Sequence, residues 1–215
     1  MRIAIIMAAG VGALALAACE TTPRPAMTSA QCAVADWKAV GYQDGAEGRP
    51  PERFVARQQA CIDAGYGADQ AAYMAGRREG LWNWCQPERA FRLGMDGAGY
   101  NGVCPPELDG AFRDAHNDGR RANQALSAFR SAESALSSLR NDRQDIERKI
   151  DANEAGLIAS QTDEERLRHR NELVRLREER ARIDGRIREA DDTLRESDWT
   201  VQRVRREIGF RYGSW

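Results

Sequence analysis

The chain has 215 residues, 42% hydrophobic and 30% charged, with 32 basic side chains against 33 acidic ones. A formal charge of −1 gives no basis for a nucleic-acid partner. Divided at Gly119, the two halves carry 11 basic against 14 acidic residues and 21 against 19, so neither is a polybasic surface.

The N-terminus reads as an address. Arg2 precedes an apolar run from Ile3 to Ala18, which ends in Leu16-Ala17-Ala18-Cys19. A membrane span needs about 20 apolar residues, so residues 1–18 read as a signal peptide. Small residues before a cysteine resemble the lipobox of bacterial lipoproteins, which makes Cys19 the expected lipidation site. An acylated Cys19 would hold the chain on a bilayer. Glu20, where an inner-membrane retention signal would have Asp, favours the outer membrane with the body facing the periplasm. Residues 19–31, with Pro23 and Pro25, read as a flexible tether.

Residues 32–119 are rich in glycine and aromatics and read as short helices. The expected spans are Cys32 to Glu47, Pro50-Pro51 to about Ala64 with Gly65 as its stop, Asp69 to Trp84, Pro87 to about Gly97, and one opened by Pro105-Pro106. With Cys19 set aside, four cysteines remain. Their gaps of 29, 24 and 19 residues do not suit a zinc site, so no metal is expected and Cys32, Cys61, Cys85 and Cys104 are disulfide candidates. Three connectivities are open. A hairpin of the first two helices would bring Cys32 to Cys61 and leave Cys85 for Cys104.

Within this half GYQDGAEG recurs loosely as YMAGRREG, FRLGMDGAG and FRDAHNDG. Small residues four apart, such as Gly41 and Gly45, Gly76 and Gly80, Gly94 and Ala98, or Ala115 and Gly119, share one helix face with an aromatic about a turn earlier. That is a packing face for close helix approach. Neither a dinucleotide loop nor a P-loop fits, because no strand precedes these stretches and no Gly-Lys-Ser/Thr closes them.

Residues 120–208 lose most glycines and follow a heptad pattern. One seam position runs Ala122, Phe129, Leu136, Arg143, Ile150, Leu157, and the other Ala125, Ala132, Leu139, Ile146, Asn153, Ser160. The pattern resumes with Leu173, Arg180, Ile187, Leu194, Val201, Ile208 and with Leu176, Ile183, Ala190, Ser197, Val204. Between them Thr162-Asp163-Glu164-Glu165 is a capping box. Folding back near 161–162 pairs Ile150 with Leu173, Ile146 with Leu176, and Leu139 with Ile183. Arg143 would face Arg180 and turn aside toward Glu147 or Asp184. Glu164 with Arg168, Glu178 with Arg182 and Asp184 with Arg188 are spaced for weak exposed pairs. The same heptads would also suit one continuous helix in an intermolecular coil. The expected fold is all-α: a small disulfide-tied glycine-rich helical domain, then a long antiparallel αα-hairpin. The aromatic tail 209–215 would pack back onto that domain or serve as a docking peptide.

Chemistry is hard to find. Asp36, Asp44, Asp69 and Asp96 read as caps or surface carboxylates, His116 as a helix-surface residue and His169 as a solvated one. Trp37, Tyr42, Tyr66, Tyr73, Trp82, Trp84 and Tyr100 could line a glycan groove or form the core of the small domain. No catalytic residue and no cofactor is expected.

The order Cys32-x3-Asp36-Trp37, Gly41-Tyr42-x-Asp44-Gly45-x2-Gly48, Cys61-x3-Gly65, Tyr73-x2-Gly76-x3-Gly80-Leu81, Cys85 and Gly94-x2-Gly97-x2-Tyr100-x-Gly102-x-Cys104 resembles the bacterial lipoprotein family catalogued as domain of unknown function 2799. The resemblance implies an envelope lipoprotein and supplies no catalytic residues. The expectation is therefore a lipid-anchored envelope scaffold or adaptor with a protein partner on its hairpin. The other reading is a module binding peptidoglycan or another glycan.

Overall fold

A computed structural model describes residues 26–213 and 215. The signal peptide, Cys19 and most of the tether lie outside the described residues. Seven helices and no strand occur among those that are described: α1 (Ser29–Ala33), α2 (Trp37–Ala46), α3 (Arg53–Asp63), α4 (Gln70–Trp84), α5 (Pro87–Met95), α6 (Pro106–Ala159) and α7 (Asp163–Tyr212).

The helix expected from Cys32 to Glu47 is two helices. Asp36 accepts from Ala39 N–H at 3.1 Å and starts α2 afresh, separating it from α1. Upstream, Thr28 and Gln31 form a capping box, and the Met27 side chain is buried, so residues 27–31 pack with the fold. The α3 helix begins at Arg53 because Pro50 to Glu52 fold as tight turns. Gly48, Gly65 and Gly97 take positive φ behind α2, α3 and α5, and the next N–H bonds back to Asp44, Cys61 and Leu93 respectively, which closes each end as a Schellman cap. Ala98 is thus outside the helix, and the Gly94–Ala98 spacing is not a helical face.

The glycines bring helices together backbone to backbone. A Cβ on Gly41 would lie 2.0 Å from the Tyr73 carbonyl oxygen, and one on Gly45 2.2 Å from that of Arg77. In return, a Cβ on Gly76 would lie 1.9 Å from the Lys38 carbonyl oxygen and one on Gly80 2.1 Å from that of Tyr42. Positions advance together along both chains, so α2 and α4 run parallel, with α3 as the return. At this distance Cα–H groups contact the opposite carbonyls, which adds weak hydrogen bonding to close packing.

The same device is built twice. Gly94 follows Cys85 by nine residues, as Gly41 follows Cys32; Gly119 follows Cys104 by fifteen, as Gly76 follows Cys61. In this frame Gly94 meets the carbonyl of His116, the counterpart of Tyr73, and Gly119 meets that of Phe91, the counterpart of Lys38. Each unit holds its own disulfide, Cys32–Cys61 with Cα atoms 5.4 Å apart and Cys85–Cys104 with 5.8 Å. Each has its own core, one around Trp37, Phe54 and Tyr73 and the other around Leu81, Ala90 and Phe112. Trp84 joins them: it stacks on Phe112 at 4.9 Å, and its ring lies against Gly48. Replacing either bridge by serines should cost about 3–4 kcal/mol in urea unfolding, from the loop entropy restored to the unfolded chain.

Beyond Gly119, α6 continues without a break into the hairpin, so the composition boundary is not a structural one. Its 54 residues span about 80 Å at 1.5 Å per residue. The turn at 160–162 carries the Thr162–Glu165 capping box, and Ile146, Ile150, Leu173, Leu176 and Ile183 form one buried cluster along the seam. Arg143 turns to the rim, 3.0 Å from Glu147 and 2.8 Å from Asp184. The three expected i,i+4 pairs do not form: Asp184 is taken across the seam, and the intrahelical pairs lie elsewhere, such as Arg195 with Asp191 at 2.6 Å. His169 is half-buried rather than solvated. Its ring covers Gly156, and Nδ1 lies 3.0 Å from Asn153 Oδ1. The α7 helix runs on to Tyr212, which stacks on Phe91 at 4.3 Å. Trp215 also packs on Phe91, so the tail returns to the glycine-rich domain.

Candidate functional site

Three places in the fold concentrate chemistry, and the first is a buried carboxylate. The glycine contact that fuses α2 to α4 also carries Asp44 inside, where it is 1% exposed. Arg57 of α3 grips it with two hydrogen bonds, Nε to Oδ2 at 2.8 Å and Nη2 to Oδ1 at 2.7 Å. The Tyr73 hydroxyl donates to Oδ2 at 2.7 Å. Arg57 also reaches the Ala26 carbonyl, and Arg77 donates to the Arg49 carbonyl at 2.8 Å. Asp44 is thus not a surface group, whereas Asp36 and Asp69 are N-caps as expected.

Burial, and then the hydrogen bond to Asp44, holds the Tyr73 hydroxyl well above the usual tyrosine range. Tyr100 is pushed up to about 12, again by burial first and then by its bond to Asp109. In an unfolded chain both would titrate near about pH 10. Above that pH the unfolded chain sheds protons that the folded chain keeps, so stability is full below pH 10 and falls as pH rises. Lys38 and Lys149 are the only lysines, which leaves tyrosine dominant in this window. Urea melts between pH 9 and 12 should show the decline, and Tyr73→Phe should make it shallower.

The second place is the corresponding position of the second unit. There Gly97 stands for Asp44, His116 for Tyr73 and Arg120 for Arg77, and the shorter loop to Cys104 leaves no counterpart of α3. A groove of about 430 Å³ opens between residues 97–100 and α6, lined by Gly97, Gly99, Arg113, His116, Asn117 and Arg120. His116 is buried, not on the helix surface, and donates through Nε2 to the Ala98 carbonyl at 2.8 Å. Arg113 is held by Asp109 at 2.6 Å, whereas Arg120 is exposed and has no carboxylate within 4 Å among the described residues. Arg57, Arg77 and Arg120 do not stand out in a motif search. The signal that finds the last two is their place one residue after Gly76 and Gly119 in the duplicated frame.

The third place is the hairpin tip, where Ile158 is 88% and Leu167 58% exposed beside the turn. The expected aromatics do not share one groove. Trp37 and Tyr73 belong to the first core, and Trp84 and Tyr100 pack with Phe112 in the second. Tyr42 and Trp82 remain outside at 43% and 47%, and Tyr42 accepts from Asn83 at 2.8 Å. No described helix is long and apolar enough to cross a membrane.

No curated protein and no solved structure matches the chain. A family model described as "Protein of unknown function (DUF2799)" matches residues 36–121, from the α2 cap to just past the Gly119 contact. The stretch similar to the DUF2799 family is therefore the doubled glycine unit from the α2 cap onward, with three of its four bridged cysteines.

Proposed function

We propose that this chain is a lipoprotein anchored through Cys19 in the outer membrane, facing the periplasm, whose hairpin engages a protein partner of the envelope. The observation that carries the reading is the hairpin itself. The Ile146–Ile183 part of its seam is buried only between α6 and α7, and its tip presents Ile158 and Leu167 to solvent. A long rigid arm ending in exposed aliphatic side chains serves reach and contact. The disulfides fit an oxidising compartment, and the Leu16–Cys19 lipobox fits acylation.

Two experiments separate the parts of this proposal. Cys19→Ser should release the chain from the membrane fraction; unchanged fractionation without acylation would refute the anchor. A photo-crosslinking residue at Ile158, used in intact cells, should give one discrete protein adduct. The same residue at exposed Val55 of α3 should not give that adduct. An absence of any tip-specific protein adduct would refute the adaptor role whatever the anchor does.

A further inference from the structure

We propose that the groove between the 97–102 loop and α6 is a binding site for a ligand carboxylate. The first unit shows what this place in the repeat is built to hold. There the carboxylate of Asp44 is held by Arg57 of α3, which has no counterpart in the second unit, and by the tyrosine at the position of His116, while the arginine at the position of Arg120 adds its charge from nearby and bonds the Arg49 carbonyl. In the second unit the carboxylate is replaced by Gly97, and α5 stops at Met95. The loop then opens a groove beside the retained arginine.

The groups around the groove suit an anion. Arg120 offers a planar guanidinium fork with no carboxylate within 4 Å among the described residues. Asn117, one turn along α6 from Arg113, lines the same wall and is exposed. On the opposite wall the N–H group of Gly99 makes no backbone hydrogen bond among the described residues, and Gly99 is exposed. Gly102 has φ +69°, and a Cβ there would come within 3.4 Å of the Arg113 guanidinium. His116 fixes the loop from below by its bond to Ala98, and Tyr100, under the Arg113 guanidinium at 5.3 Å, fixes it from the side. The walls are thus set before a ligand arrives, which lowers the ordering cost of binding. A groove of about 430 Å³ admits a small acid or the terminal residues of a peptide.

The test uses the full chain labelled with ¹⁵N and three probes: acetate, N-acetyl-Ala-Ala with a free C-terminus, and the same peptide as its C-terminal amide. Acetate and the free peptide should shift the amides of residues 99–102, and the peptide amide should not. Equal affinity for acetate and free peptide identifies a small free acid. At least tenfold tighter binding of the free peptide identifies a chain terminus. Arg120→Ala should weaken either at least tenfold while the melting temperature holds, and Arg120→Lys should recover part. Asn117→Ala, at a second exposed position, should also weaken binding. The site is refuted by absent shifts, by equal shifts from the peptide amide, by an Arg120→Ala variant that binds as the parent does, or by inorganic phosphate binding in preference to carboxylates.

Discussion

Gly45→Ala should cost the glycine-rich domain about 3 kcal/mol in urea unfolding, and Gly45→Leu should leave its first unit unfolded. Alanine at a helix interior is ordinarily the better residue by about 1 kcal/mol. At Gly45 that gain is overwhelmed, because the new Cβ would sit 2.2 Å from the Arg77 carbonyl and 3.0 Å from the Leu81 nitrogen. Both neighbours are helix backbone and cannot rotate away, so α2 and α4 would have to separate. Overpacking against movable side chains already costs about 1–3 kcal/mol, and a rigid wall belongs at the upper end or beyond. The control is Gly110 in α6, where a Cβ would meet nothing within 4 Å. Gly110→Ala should stabilise by about 0.5–1 kcal/mol. The two substitutions are chemically identical and should differ in sign. A Gly45→Ala variant as stable as the parent would show that the helices are not held at this distance.

The contrast also shows what a sequence discloses. Four-residue spacing marks Gly41, Gly45, Gly76 and Gly80 as one kind of face, because helical periodicity is local information. Which face meets which is not local. Only the two disulfides set the frame in which Gly41 answers to Gly94 and Gly76 to Gly119, and a ten-residue difference between the bridged segments, 29 against 19, hides that frame from a repeat search. The hairpin was readable because its partners are consecutive. The capping box at Thr162 and the heptads on either side leave little freedom, and even the outward turn of Arg143 follows from like charges meeting in the seam.

What stayed hidden was polar burial. Asp44 lies among surface-like residues in the sequence, between Gln43 and Gly45, and its only signature is the distant Arg57 and Tyr73 that satisfy it. His116 is similar: its neighbours Asn117 and Asp118 suggest solvent, while its ring is held under the Ala98 carbonyl. The α1 helix was legible in principle, since Thr28 and Gln31 have capping-box spacing. Pro23 and Pro25 nearby gave the segment the composition of a linker.

Asp44→Ala should destabilise the domain by about 3–5 kcal/mol, because it strips a buried ion pair of one partner and leaves Arg57 and the Tyr73 hydroxyl without their acceptor. The side chain of Arg57 is 17% exposed, so part of it can regain water, which places the loss toward the lower end. Removing all three polar groups is a different experiment. In Asp44→Leu/Arg57→Met/Tyr73→Phe the three hydrogen-bonded groups go together, and much of the loss should return, since apolar replacement of a whole buried network is often close to neutral. The damage in the single variant should also be local. Arg57 ties α3 to α2, and beside it α3 has the Cys32–Cys61 bridge and Phe54 in the first core. Hydrogen exchange should therefore quicken across residues 53–63 first, while the Ile146–Ile183 seam stays protected. Uniform acceleration along both arms of the hairpin would mean instead that the two units and the arm unfold as one body, and that the carboxylate in the first unit supports the whole chain.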